Sequence, residues 1–265
     1  MSGDLPRPLW SFLFLALLSG GAEPAFARVF DFNTENFAVY FRGVGGLSQL
    51  GDQGFARAFD PDLIALSAPK ARYNFGGELG TVFSLLPQVN LRLGLEVMQT
   101  KAAKEASGLS ASDVELFELN SEVFVWHPNA MIEIMVHVQP RSRFLLLGGV
   151  GWSTAHLTNE FSMTSAGTAQ LGKDSYSEKA SQALMSWQAG AAMELHFTDT
   201  STLHLEGGYR EMVFSQLTHK LAVDSLAQDS MAKGDRLLNF DDSQRPLNMG
   251  GLYLALSFRF YVRFL

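Results

Sequence analysis

The chain has 265 residues, 20 Lys and Arg against 27 Asp and Glu, a formal net charge of −7 and no cysteine. That charge argues against a nucleic-acid partner, whose affinity rests on basic groups neutralising phosphates. The missing cysteines exclude disulfides, thiolate metal sites and a lipid-modified N-terminal cysteine, which leaves backbone pairing and packing to hold the fold.

Residues 1–27 place Arg7 ahead of an apolar run at 9–18 and close on Ala25-Phe26-Ala27. The run is shorter than the roughly 20 residues a membrane helix needs. Small residues at Ala25 and Ala27 fit a cleavage site, so 1–27 reads as a secretory signal peptide and 28–265 as one exported domain. No later apolar run reaches spanning length before a charge or glycine interrupts it.

Eight segments then alternate large apolar residues with small or polar ones: 37–48, 72–84, 89–100, 121–138, 144–157, 182–197, 203–214 and 247–264. Side chains of a strand project to opposite faces with period two, so each predicts a strand. The last is the longest alternation, with Leu252, Leu254, Leu256, Phe258, Phe260, Val262 and Phe264 on one face. Residues 113–138 read as one long strand or as two split at His127-Pro128-Asn129. An even strand number is the rule for single-chain bacterial barrels, so eight strands are expected, and ten are possible if 161–169 also pairs.

Three connections, 85–88, 139–143 and 198–202, are tight and rich in turn formers. Four, at about 49–71, 101–120, 158–181 and 215–246, are long. Their strict alternation predicts an all-β, antiparallel, up-and-down transmembrane barrel with short periplasmic turns and long extracellular loops. A soluble lipocalin-like barrel has the same strand number but turns its apolar face inward. Aromatic residues favour lipid: Phe37, Phe83, Phe197 and Phe264 fall toward the short-turn end, and Tyr73, Trp152 and Trp187 toward the loop end, as two interfacial girdles.

With its signal peptide, eight alternating strands, the glycine-bearing strand from Phe144 to Trp152 and an aromatic-rich last strand, the chain resembles the small outer-membrane β-barrels of Gram-negative bacteria, the OmpA-barrel and OmpX-like group. The resemblance implies an outer-membrane location, contact with membrane lipids and lipopolysaccharide, and insertion by the barrel-assembly machinery. Such barrels usually end in Phe, whereas Leu265 follows Phe264 here. A peptidoglycan-binding domain is not expected after the last strand.

With the apolar face toward lipid, the opposite face carries Arg42, Glu78, Arg92, Glu96, Glu133, Glu194, Glu206, Arg210, Arg259 and Arg263, five acids and five bases. An eight-stranded lumen is only wide enough for side chains to fill, so these charges are expected to pair as a plug; a narrow ion path is the alternative. Arg259 and Tyr261, on the strand next to Glu206, are its expected partners. A three-residue turn at 199–201 would set His196 opposite His204 and Glu194 opposite Glu206. Two His and two Glu suit a divalent cation, but hydrogen-bonded interior groups are the expectation, and no metal or cofactor is assigned.

An acyl-chain enzyme would need a Ser with a His base at the lipid boundary. Ser215 with His219 and Ser153 with His156 are the nearest pairs, neither in a G-x-S-x-G setting, so a non-enzymatic protein is expected. The long loops carry mixed charge, including Glu105, Asp113, Glu115 and Glu118 in the second and Asp224, Asp229, Asp235, Asp241 and Asp242 in the fourth. Loops on a rigid scaffold commonly carry recognition. Such runs read first as solvated surface; the functional reading is contact with lipopolysaccharide through divalent cations or with a surface ligand such as another cell, and the role expected is envelope integrity, adhesion or surface shielding.

Overall fold

A computed structural model describes residues 30–32, 34–50, 64–67, 71–101, 106–226, 229–239 and 241–262. Ala25, Ala27, Arg263 and Phe264 lie outside the described residues. Eight strands form the wall: β1 (Phe37–Leu50), β2 (Ala71–Leu86), β3 (Val89–Lys101), β4 (Glu115–Gln139), β5 (Ser142–Met163), β6 (Tyr176–Thr198), β7 (Ser201–Glu211) and β8 (Gly251–Tyr261). Each is antiparallel to the next, and β1 pairs with both β2 and β8, which closes the ring. Closure leaves no edge and satisfies the wall's backbone groups internally, which is what hydrocarbon demands of any spanning structure.

The alternation sorts by burial in the sense opposite to a soluble barrel. Phe75, Leu79 and Leu254 are 59%, 63% and 74% exposed, whereas Arg42, Glu78, Arg92 and Glu96 on the opposite face of the wall are 2% exposed or less. Apolar area left in water forgoes about 25 cal/mol per Å², and a continuous band of it around the wall needs lipid as its solvent. No described helix is long and apolar enough to cross a membrane; the strands do so.

Residues 113–138 belong to one strand. β4 runs unbroken through His127-Pro128-Asn129, with Leu95 opposite Pro128 and Trp126 and Asn129 in one register against β5. Proline lacks only the donor, so the neighbouring pairs hold it in line. Residues 161–169 do not add a strand. Phe161 to Met163 end β5, and α1 (Ser165–Leu171) follows, its Thr164 cap accepting from Gly167 N at 3.0 Å and left-handed Gly172 ending it. The final alternation is also interrupted. Leu247–Asn248 pairs with Val213–Phe214 and with Gln49, and β8 begins only at Gly251, whose φ of 140° suits glycine.

Spanning takes about 9–11 residues of tilted strand. β4, β5 and β6 have 25, 22 and 23, so they rise beyond the membrane as a crown, and the second and third long connections are shorter than the sequence suggests. Ala106–Leu109 pairs with β4, and Thr218–His219 pairs with β6. A cluster of Leu116, Phe117, Leu119 and Phe161 with Tyr176 and Leu171 packs the crown.

Candidate functional site

The lumen is filled in layers, from the short-turn end upward. Phe30 and Phe32 enter first. Phe30 stacks on His196 with centroids 4.9 Å apart and meets Tyr261 edge-on, and Phe32 lies 4.5 Å below the Arg143 guanidinium. Above them five arginines and five glutamates form one branched chain. Arg143 binds Glu194 (2.8 Å), Glu194 binds Arg259 (3.1 Å), and Arg259 binds Glu133 (2.6 Å). Glu133 binds Arg92 (3.3 Å), Arg92 binds Glu206 (2.7 Å), and Glu206 binds Arg42 (2.9 Å). Arg42 also pairs with Glu78 and reaches Glu96 at 4.0 Å, and Arg210 closes on Glu96 at 2.9 Å. Tyr253 donates to Glu206 at 2.8 Å, Tyr261 to Glu194 at 2.7 Å, and Tyr40 to Glu78.

Arg42–Glu78 and Arg143–Glu194 are register neighbours, but most of the other pairs, those of Glu206 among them, join strands that do not pair with each other. Glu206 therefore binds Arg42, Arg92 and Tyr253, not Arg259 and Tyr261, which bind Glu194. Its register neighbours are Ala255 and Ala192, too short to compete. An arginine side chain can cross an eight-stranded lumen, and partner choice follows that reach. Arg143, which the sequence places in the tight connection 139–143, is fully buried and paired. The β6–β7 turn is shorter than expected: Thr198 pairs with Ser201 and a bulge follows His196, so Glu194 faces His204 and His196 faces Thr202. The expected His–His and Glu–Glu pairing is lost. Among the described residues no group of three His, Asp or Glu is placed to hold a metal ion.

Above the ion pairs the lumen turns apolar, which the expectation of a polar, self-paired interior does not include. Met212, Phe214, Leu217, Leu237, Leu247 and Met249 from the β7–β8 connection pack on inward Met98, Val123, Val125, Ala155 and Leu157. Arg245 lies higher still, 3.3 Å from Glu178, which also accepts from Asn159 at 2.9 Å. In this crown region burial pushes the Tyr176 hydroxyl up and holds the His219 imidazole below its ordinary range.

Of the two Ser–His pairs that the sequence offers, Ser153 and His156 do not meet. Ser153 points inward to Ser186 (2.9 Å), while His156, three positions on, projects from the other face of β5. A different series does form: Glu96 Oε2 to His127 Nδ1 at 3.1 Å, and His127 Nε2 to Ser186 Oγ at 3.1 Å. Its order is that of a catalytic relay. All three side chains are buried, Arg210 engages the same carboxylate, and a Cβ on Gly151 would overlap the imidazole. The series is a buried hydrogen-bond chain joined to the ion-pair network through Glu96.

On the outer wall Tyr73, Trp126, Trp152, Trp187 and Tyr209 are exposed toward the crown, and Phe83, Phe197 and Phe260 toward the short turns. Trp187 and Tyr209 touch at 5.8 Å and Phe37 and Phe83 at 5.1 Å. Apolar outside, charged inside and closed without an edge, the chain is a transmembrane β-barrel of the bacterial outer-membrane type.

No family model and no curated protein matches the chain. Among solved structures it is similar to the outer membrane protein OprG from Pseudomonas aeruginosa, at 10% identity over 88% of this chain and 99% of that one, with a TM-score of 0.49. It is also similar to the outer membrane protein AlkL, at 14% identity over 93% and 99% with a TM-score of 0.42. Neisserial surface protein A is a third, at 9% identity over 85% and 97%, also with a TM-score of 0.42.

Proposed function

We propose that this barrel is a non-enzymatic scaffold of the outer membrane whose work is done by its crown, in envelope integrity, adhesion or shielding of the surface. The observation that supports this reading is the sealed lumen. Among the described residues, an aromatic layer, a neutralised chain of buried charges and an apolar layer lie one above another inside the ring. Three strands meanwhile carry ordered surface well past the membrane, in reach of a partner outside.

Planar-bilayer recording tests it. Reconstituted protein is expected to give no stepwise conductance above the lipid baseline at moderate voltage and neutral pH. Reproducible open-channel steps, scaling with the amount inserted, would overturn the scaffold reading in favour of a solute or ion channel.

A further inference from the structure

Four cations stand together on the crown. Lys220 follows the short strand Thr218–His219, and its backbone N–H donates to Lys179 O of β6 at 2.8 Å, which sets the two lysines side by side. On the other side Thr218 bridges to Arg236, and Gly234 N donates to His219 O at 2.9 Å, which brings Lys233 to the same corner. All four side chains are exposed. Among the described residues none has a carboxylate within ion-pair distance, in contrast to Lys173 nearby, which is 2.8 Å from Asp224. Of the nearby carboxylates, Glu178 next to Lys179 is buried and paired with Arg245, Asp235 accepts from Ala232 N at 2.7 Å, and Glu160 lies opposite Ser177 on the next strand.

Unpaired like charges held side by side on ordered backbone are costly unless something anionic meets them. Their height suggests what. Lys179 precedes the girdle residue Trp187 by eight positions on β6, roughly 26 Å along a strand and roughly 20 Å above the hydrocarbon edge at the usual tilt. That is above the lipid headgroups and level with the sugars of an outer-leaflet glycolipid. We propose that Lys179, Lys220, Lys233 and Arg236 form a docking patch for the phosphate groups on the core saccharide of the surrounding lipopolysaccharide. The direct contact replaces the divalent bridge that the acidic loops suggest, and guanidinium and ammonium groups are the natural donors to phosphate. The inference rests on the reading that the crown faces outward.

The test compares wild type with a variant carrying Lys179→Gln, Lys220→Gln, Lys233→Gln and Arg236→Gln together. Binding is measured in detergent to three probes: lipopolysaccharide with a phosphorylated core, the same lipid lacking core phosphates, and heparin. The four substitutions are expected to weaken binding of the phosphorylated lipid by about ten-fold, to leave the lipid without core phosphates unaffected, and to lose their effect near 0.5 M salt, where the screening length is only about 4 Å. Equal binding of the phosphorylated lipid by both proteins would overturn the patch. A loss confined to heparin would overturn the glycolipid assignment in favour of a soluble polyanion. Impermeant maleimide applied to whole cells bearing Lys220→Cys is expected to label it; absence of labelling would overturn the outward orientation and so separate that failure from failure of the patch.

Discussion

Replacing Glu206 with leucine is expected to lower the stability of the folded barrel by about 3–5 kcal/mol, the cost of removing one partner from a buried charge cluster. Glu206 is the acid shared by Arg42 (2.9 Å) and Arg92 (2.7 Å), and it accepts from Tyr253 as well. Without it the central lumen holds one more positive charge than negative, and a buried charge left without a partner is costly. Arg42 keeps Glu78 and Arg92 keeps Glu133, so the fold survives in weakened form. Adding Arg92→Met restores the balance to four and four and is expected to recover part of the loss, since an apolar replacement of a whole pair is often near neutral. Urea titration, read as the fraction migrating in the folded form without heating, measures both. A single variant within about 1 kcal/mol of wild type would mean that water reaches the charges and that the lumen is open.

Gly94→Val is expected to be still more damaging, with little or no folded protein recovered. Gly80 and Gly94 face each other across β2 and β3, and the Tyr40 ring lies over both while its hydroxyl reaches Glu78. A Cβ at Gly94 would overlap Glu78 Oε1 and the Tyr40 hydroxyl and come within 2.9 Å of Glu78 Cδ. Making room means withdrawing Glu78 from Arg42, so overpacking, at about 1–3 kcal/mol, and a broken buried charge pair, at about 3–5 kcal/mol, fall on one site. Gly43→Val is the control. That position faces lipid with nothing within 4 Å of an added Cβ, and the variant is expected to fold as well as wild type. Equal folded yields for the two variants would contradict this packing of the lumen.

The wall was legible because it obeys a local rule. Period two is imposed by backbone geometry and recorded residue by residue, so the sequence separates Leu252 and Leu254 from Tyr253 without knowing what surrounds them. Strand number followed from connection lengths, which are also local. The interior was legible only as a composition. Which carboxylate meets which guanidinium depends on distance across the ring, and no spacing along the chain encodes that Glu206 meets Arg92 at 2.7 Å.

Three features that were not legible in the sequence share a cause. Arg143 sits three residues after Pro140 and reads as turn, yet the register Arg143 to Glu194 carries β5 that far down. Phe30 and Phe32 precede any alternation and gain meaning only when the closed ring offers them a mouth to fill. The apolar side chains of the β7–β8 connection, Phe214 to Leu247, follow no period because they pack into a space made by other strands. Long polar stretches of the same connection hid them. Where structure is dictated by a cavity rather than by the backbone, the sequence signal is composition without order.

The central claim is that the ring is closed, greasy face outward and lumen sealed by its own charges. Mobility in SDS of the membrane fraction, unheated against boiled, tests it most directly, since a barrel without an edge keeps its backbone pairing until heat breaks it. A compact, faster-migrating form that disappears on boiling is the predicted result. A single mobility at both temperatures, with the protein recovered in the soluble fraction, would contradict it.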